Sequence, residues 1–186
     1  MEPIDTTEQL PDPGEVKFGA NAMRYGVYTG LVLVALSLVL YLTGMSEPGK
    51  SGQQWIGIGL TIIIIAGGMV IACRAHRDEE LGGVMSFGRG FGVSMLVSIA
   101  ATLISSVYTF IFLQFIDTSM IQKLKDAQIH EMERRGMNDD QIEAAQKFSE
   151  MIFNPGALSL IGFIQILIFT LIVALIVSAI MQKKSL

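Results

Sequence analysis

Four stretches of this chain carry no Asp, Glu, Lys, Arg or His: Tyr25 to Leu42, Trp55 to Cys73, Phe91 to Phe115 and Ala157 to Met181. They run for 18 to 25 residues. As helices they would measure about 27–37 Å, which matches a bilayer hydrocarbon core of about 30 Å. Over such a length only a helix or a closed barrel satisfies its own backbone in lipid. A barrel needs alternating segments of about 10 residues, and the run Ile62-Ile63-Ile64-Ile65 does not alternate. Charged residues make up 16% of the chain, against about 25% in soluble proteins. The fold expected is all-α: an integral-membrane four-helix bundle with spans near 25–42, 55–73, 91–115 and 157–181.

The first run is read as a retained span, not a cleaved leader. It follows an acidic segment holding Glu2, Asp5, Glu8, Asp12 and Glu15, and it exceeds the 7–15 apolar residues typical of a signal peptide. Residues 1–15, with three prolines and five acids, are expected to form a disordered acidic cytoplasmic tail. Residues 16–186 form the membrane domain.

Lysine and arginine near the membrane edges set orientation. Four spans put both termini on one side, with Lys17, Arg24, Arg74, Arg77, Arg89, Lys183 and Lys184. Lys50, Lys123, Lys125, Arg134, Arg135 and Lys147 fall on the other. Six of the first group lie within about five residues of a span, against Lys50 alone in the second. Both termini are therefore expected in the cytoplasm of a bacterial cell, and the protein in its inner membrane.

The connections differ in character. Ser46 to Gln54, with Pro48, Gly49 and Gly52, reads as a tight turn, and Trp55 follows where an interfacial aromatic belongs. Arg74 to Glu80 packs charges of both signs into seven residues, and His76 among them reads as a solvated loop residue. Gly88, Gly90 and Gly92 resemble a phosphate-cradling loop on paper. However, no strand precedes them and no Lys-Ser/Thr follows, so they read as a membrane-hugging turn into the third span, capped by Ser86.

Residues 117–153 predict an amphipathic helical hairpin on the periplasmic side, between spans three and four. Asp117 or Thr118 caps its first helix and Gly136 stops it; Asn138 or Asp139 caps a second helix running through Phe153. Met120, Ile121, Leu124 and Met132 form one apolar stripe, and Ile142, Ala145, Phe148 and Ile152 the other. The pairs Asp126–His130 and Glu143–Lys147 are spaced to interact.

Polar residues within the spans are where function is sought. Ser94, Ser98, Thr102, Ser105, Ser106 and Thr109 fall within an arc of about 120° on the third span. They form a candidate polar seam, either for helix packing or for the path of a small solute or lipid headgroup. Gly26, Gly30, Gly57 and Gly68 are read as helix-packing positions, and Gln165 as an interhelical hydrogen-bonding side chain. No span holds a carboxylate, histidine or lysine, which disfavours a proton-driven transporter. No catalytic, cofactor-binding or metal-ligating set is expected: His76 and His130 are the only histidines, on opposite sides of the membrane, and Cys73 is the only cysteine. A net charge of −4 argues against a nucleic-acid partner.

Several local patterns are similar to a known family: Arg24-Tyr25-Gly26, Arg77-Asp78 with Leu81-Gly82-Gly83, Ser86-Phe87-Gly88-Arg89-Gly90-Phe91, Ile116-Asp117, Gly136-Met137 and Asn154-Pro155. In their order they resemble the bacterial membrane family catalogued as domain of unknown function 4199, best represented in Bacteroidota. The resemblance runs from about Val16 to Lys184. It implies four spans and an inner-membrane location, and brings no activity with it.

The functional expectation is a non-enzymatic structural, accessory or assembly subunit. Its partners would be membrane lipids and either further copies of itself or another membrane protein. The alternative is a small oligomeric transporter, channel or lipid-handling protein that uses the Ser/Thr face of the third span.

Overall fold

The computed structural model describes residues 16–49 and 51–183. The acidic tail, Lys50 and Lys184 lie outside the described residues. Six α-helices follow in order: α1 Gly19–Leu42, α2 Ser51–Ala75, α3 Phe87–Ile111, α4 Ser119–Arg134, α5 Asp139–Ile152 and α6 Pro155–Met181. α2 runs on into a π-helical turn, His76–Glu80, and α3 into another, Phe112–Ile116. With these turns, four segments are long and apolar enough to cross a membrane: Gly19–Leu42, Trp55–Glu80, Phe87–Ile116 and Pro155–Met181. The protein is thus of multi-pass membrane type. Among the described residues the only extended pairing is an isolated antiparallel bridge, Met85 to Lys183.

The helices outrun the uncharged stretches because polar ends remain helical where their caps permit. Ser86 accepts from the backbone N–H of Arg89 and starts α3 four residues before Phe91 and its uncharged run. The glycine-rich segment read as a turn is therefore the first turns of α3. Asn138 and Gln141 close a capping box at the head of α5. Asn154 caps α6 and Pro155 fills its first position, where the missing N–H costs nothing. Gly136 ends α4 at φ +76°, a conformation that other residues rarely adopt.

α3 is the hub. It packs against α1, α2 and α6, while α2 also touches α1 and α6. The shared core is built from Leu33 of α1, Ile65, Met69 and Cys73 of α2, Val93, Val97 and Ala101 of α3, and Ala174, Val177 and Met181 of α6. Close approach depends on small residues. A Cβ added at Gly26 would stand 2.6 Å from Ala100 Cβ and 3.0 Å from the Val97 carbonyl oxygen. The outer faces are predominantly apolar: Leu31, Val32 and Val39 on α1, Ile63 and Ile71 on α2, Ile168 and Ile172 on α6 are all exposed. In water such a surface would aggregate; lipid is the solvent it fits.

A smaller apolar cluster joins the hairpin to the spans. Phe112, Leu113 and Met120 are buried there, with Tyr41, Tyr108, Ile121, Leu124 and Leu158 around them. Trp55, in the first turns of α2 at this same end, is 72% exposed.

Candidate functional site at the terminus-bearing end

At the opposite end three distant parts of the chain meet around one imidazole. His76 is 1% exposed. The π-helical turn carries it inward and brings Glu80 beside it: Nδ1 lies 2.6 Å from Glu80 Oε2. Arg89 Nε donates to His76 Nε2 at 2.9 Å. A guanidinium has no lone pair to offer. Nε2 must therefore accept, and the imidazole proton sits on Nδ1 and is donated to Glu80. The other Glu80 oxygen accepts from Asn21 Nδ2 at 2.6 Å, which ties α1 into the group. Arg89 also donates to the backbone carbonyl of Val16 and lies over the Phe18 ring, which meets His76 edge-on at 6.0 Å between centroids.

The solvated-loop reading of His76 is thus corrected. Arg74, Arg77, Asp78 and Glu79 give the segment a surface composition. The Arg77–Asp78 pair at 2.7 Å does face outward, but His76 and Leu81 turn in. Two of the glycines beyond, Gly90 and Gly92, have packing roles. Phe18 lies against Gly92, and Met85 and Ser178 lie against Gly90. The Cys73 thiol meets Ser94 Oγ at 3.4 Å and the Gly90 carbonyl at 3.6 Å. Met85 and Lys183 exchange backbone hydrogen bonds of 2.9 Å in both directions. Residues 16–21, the α2–α3 connection and Lys183 are therefore held as one clasp. With both imidazole nitrogens engaged, His76 has no free lone pair for a substrate. The arrangement fixes chain segments.

The hydroxyls of the third span divide by depth. Ser94, Ser98 and Thr102 are at most 1% exposed; Ser105, Ser106 and Thr109 are half-buried. Ser98 bonds the Met95 carbonyl, Thr102 that of Ser98, and Thr109 that of Ser105, all within α3. Two reach other helices: Ser94 meets Cys73 of α2, and Ser106 donates to the Ser159 carbonyl of α6 at 2.9 Å. Ser105 Oγ makes no hydrogen bond among the described residues. Gly26 and Gly30 face α3, whereas Gly57 and Gly68 lie beside Leu40 and Thr29 of α1. Gln165 is exposed on α6, on the side away from the buried Thr170 and Ser178, and makes no hydrogen bond to another helix among the described residues.

At the hairpin end, Asp117 organises the joint. It accepts from the Ser119 backbone N–H and hydroxyl and from Tyr41 Oη, with Lys123 Nζ at 3.5 Å. The Ser119 hydroxyl first, and then Tyr41 and Lys123, hold its carboxyl below the usual carboxylate range. A depressed carboxylate stabilises the joint above its unfolded pKa, and that contribution is lost as pH falls through the folded value. Glu143 and Lys147 pair at 2.9 Å as the spacing predicts. Asp126 and His130 do not: Asp126 accepts from Gln122, and His130 turns to Glu133. α5 packs only part of its apolar arc. Ser149 is buried and bonds Gln128 of α4, Ile142, Ala145 and Ile152 are half-buried, and Phe148 and Met151 stand 66% and 75% exposed. A cleft of about 250 Å³ opens between the two helices, lined by Gln122, Lys125, Gln128, Gln146 and Glu150 among others. Among the described residues no three His, Cys, Asp or Glu side chains come together as a metal-binding set.

Neither the curated proteins nor the solved structures contain a match to this chain. One family profile does match, over residues 24–183, a range that takes in most of α1, all of α2 to α6 and the Lys183 end of the clasp. On that match the chain belongs to the family described as Protein of unknown function (DUF4199).

Proposed function

We propose that the chain is a non-catalytic accessory or assembly subunit of the bacterial inner membrane. In this reading its spans form a four-helix bundle, both termini lie in the cytoplasm, and the α4–α5 hairpin lies in the periplasm. The observation that carries the reading is the uncovered flank of α5. Ala144, Phe148 and Met151 share a side of that helix and are all exposed. An apolar stripe wider than the helix it packs on is a contact surface for something outside the chain. The alternative, a solute or lipid path along α3, has less support, because Ser98, Thr102 and Thr109 spend their hydroxyls on backbone carbonyls of their own helix.

The test places a photoreactive side chain at Phe148 or Met151 in native membranes. The reading expects one recurrent membrane protein among the adducts, and its loss with Met151→Asp. Adducts to lipid alone would overturn it. Orientation is read separately, by impermeant thiol labelling of Asn138→Cys from the periplasmic side and Gly82→Cys only after the membrane is opened. The reverse pattern would invert the topology.

A further inference from the structure

α6 spans 27 residues, about 40 Å of helix, and Gln165 lies about 15 Å from its start. That places a primary amide well inside a hydrocarbon core of about 30 Å. It is exposed there, and no helix offers it a hydrogen-bond partner among the described residues. An amide facing lipid tails loses the hydrogen bonds water would give it, so a buried position against another polar group is favoured.

The residues around it are arranged for one. Ile161, Gln165, Ile168, Ile172, Leu175 and Ala179 follow one another at alternating steps of four and three, and every one is exposed. This is the spacing of a left-handed helix-pair seam, with Gln165 at an inward position of the second layer. A single polar residue in such a seam fixes register and partner number.

We propose that α6 pairs with α6 of a second copy along this seam, with the two Gln165 amides hydrogen-bonded to each other across a two-fold axis. The choice of a second copy follows from chemistry. A carboxamide carries both donor and acceptor, and a two-fold axis normal to the membrane brings each face against itself at the same depth, so one side chain satisfies its twin. The pairing rests on the membrane-subunit reading above and names one of its partners. The α5 flank stays free for a different one.

The experiment is oxidative cross-linking of the full chain in native membranes. Single cysteines are placed at Ile168 and Ile172 on the seam and at Leu171, which is exposed on α6 but off the seam. Cys73 is fully buried and stays in place as an internal blank. Dimers linked at 168 and 172 well above 171 are expected. In parallel, two differently tagged copies are co-extracted. Gln165→Leu should lower co-capture about tenfold, and Gln165→Asn should retain most of it. Because Gln165 is exposed and hydrogen-bonds no other helix among the described residues, the thermal stability of the single chain should not move with either variant. Equal cross-linking at 171 and 168, unchanged co-capture with Gln165→Leu, or linkage at 168 to a different protein would each overturn the pairing. Loss of the Phe148 adducts while the seam cross-links persist would remove only the accessory-subunit reading; the converse would remove only the pairing.

Discussion

α3 and α6 divide the properties of a membrane helix between them in opposite ways. α3 carries six serines and threonines and is the most buried span, with 39% of its apolar window inside the protein. α6 is the most apolar span and the least buried, at 17%. In a water-soluble bundle the order would be reversed. Lipid removes the drive to hide apolar surface, so what draws helices together is close backbone approach and satisfied polar groups. α3 has Ser94, Ser98, Val97, Ala100 and Ala101 to let neighbours in; α6 presents Ile168, Phe169 and Ile172 outward.

The comparison can be broken or sharpened by substitution, with stability read from unfolding by denaturing detergent. The largest effect is expected from Gly26→Leu, which forces α1 off α3 and costs about 3 kcal/mol through overpacking. An unchanged midpoint would mean that the α1–α3 approach is not the tight one described. Next is His76→Ala, which removes the imidazole hydrogen bonds to Arg89 Nε and Glu80 at the head of α3 and costs about 2 kcal/mol; a neutral result would remove the clasp as a structural element. Ser106→Ala deletes the hydrogen bond joining α3 to α6 and should cost about 0.6 kcal/mol. A loss several times larger would mean that the two helices share polar contacts beyond Ser106–Ser159. Smallest is Gly162→Leu. Nothing lies within 4 Å of a Cβ there, so a change within about 0.5 kcal/mol is expected. A clear loss would show that this side of α6 is covered.

The spans were legible because the absence of charge over some 20 residues has one physical meaning in a chain this apolar. Their ends were less so. Gly19–Arg24 and Phe87–Gly90 are helical while lying outside the uncharged runs, since a cap such as Ser86 depends on a backbone N–H three residues on and not on hydropathy. The helices α4 and α5 were readable from Gly136, Asn138 and the two stripes. The clasp was not. His76 and Glu80 are four apart, but Arg89 lies 13 residues on from His76 and Asn21 59 residues before Glu80. Only the π-helical turn, which nothing in the local composition announces, swings the imidazole inward. Gln165 is a different case: its exposure on α6 was not readable, because a helical period alone cannot tell which side of a lipid-embedded helix meets a neighbour.

Trp55 has a practical consequence for watching this molecule. It is the one indole in the chain, and it stands open at the hairpin end of α2. Its ultraviolet emission is therefore a gauge of local polarity at that boundary, answering to quenchers placed at graded heights in the bilayer. The His76 clasp lies at the other end of the same helix and contributes no fluorophore of that kind. A spectroscopist following tryptophan would see half of any rearrangement, and a second indole near Phe18 would be needed to see the rest.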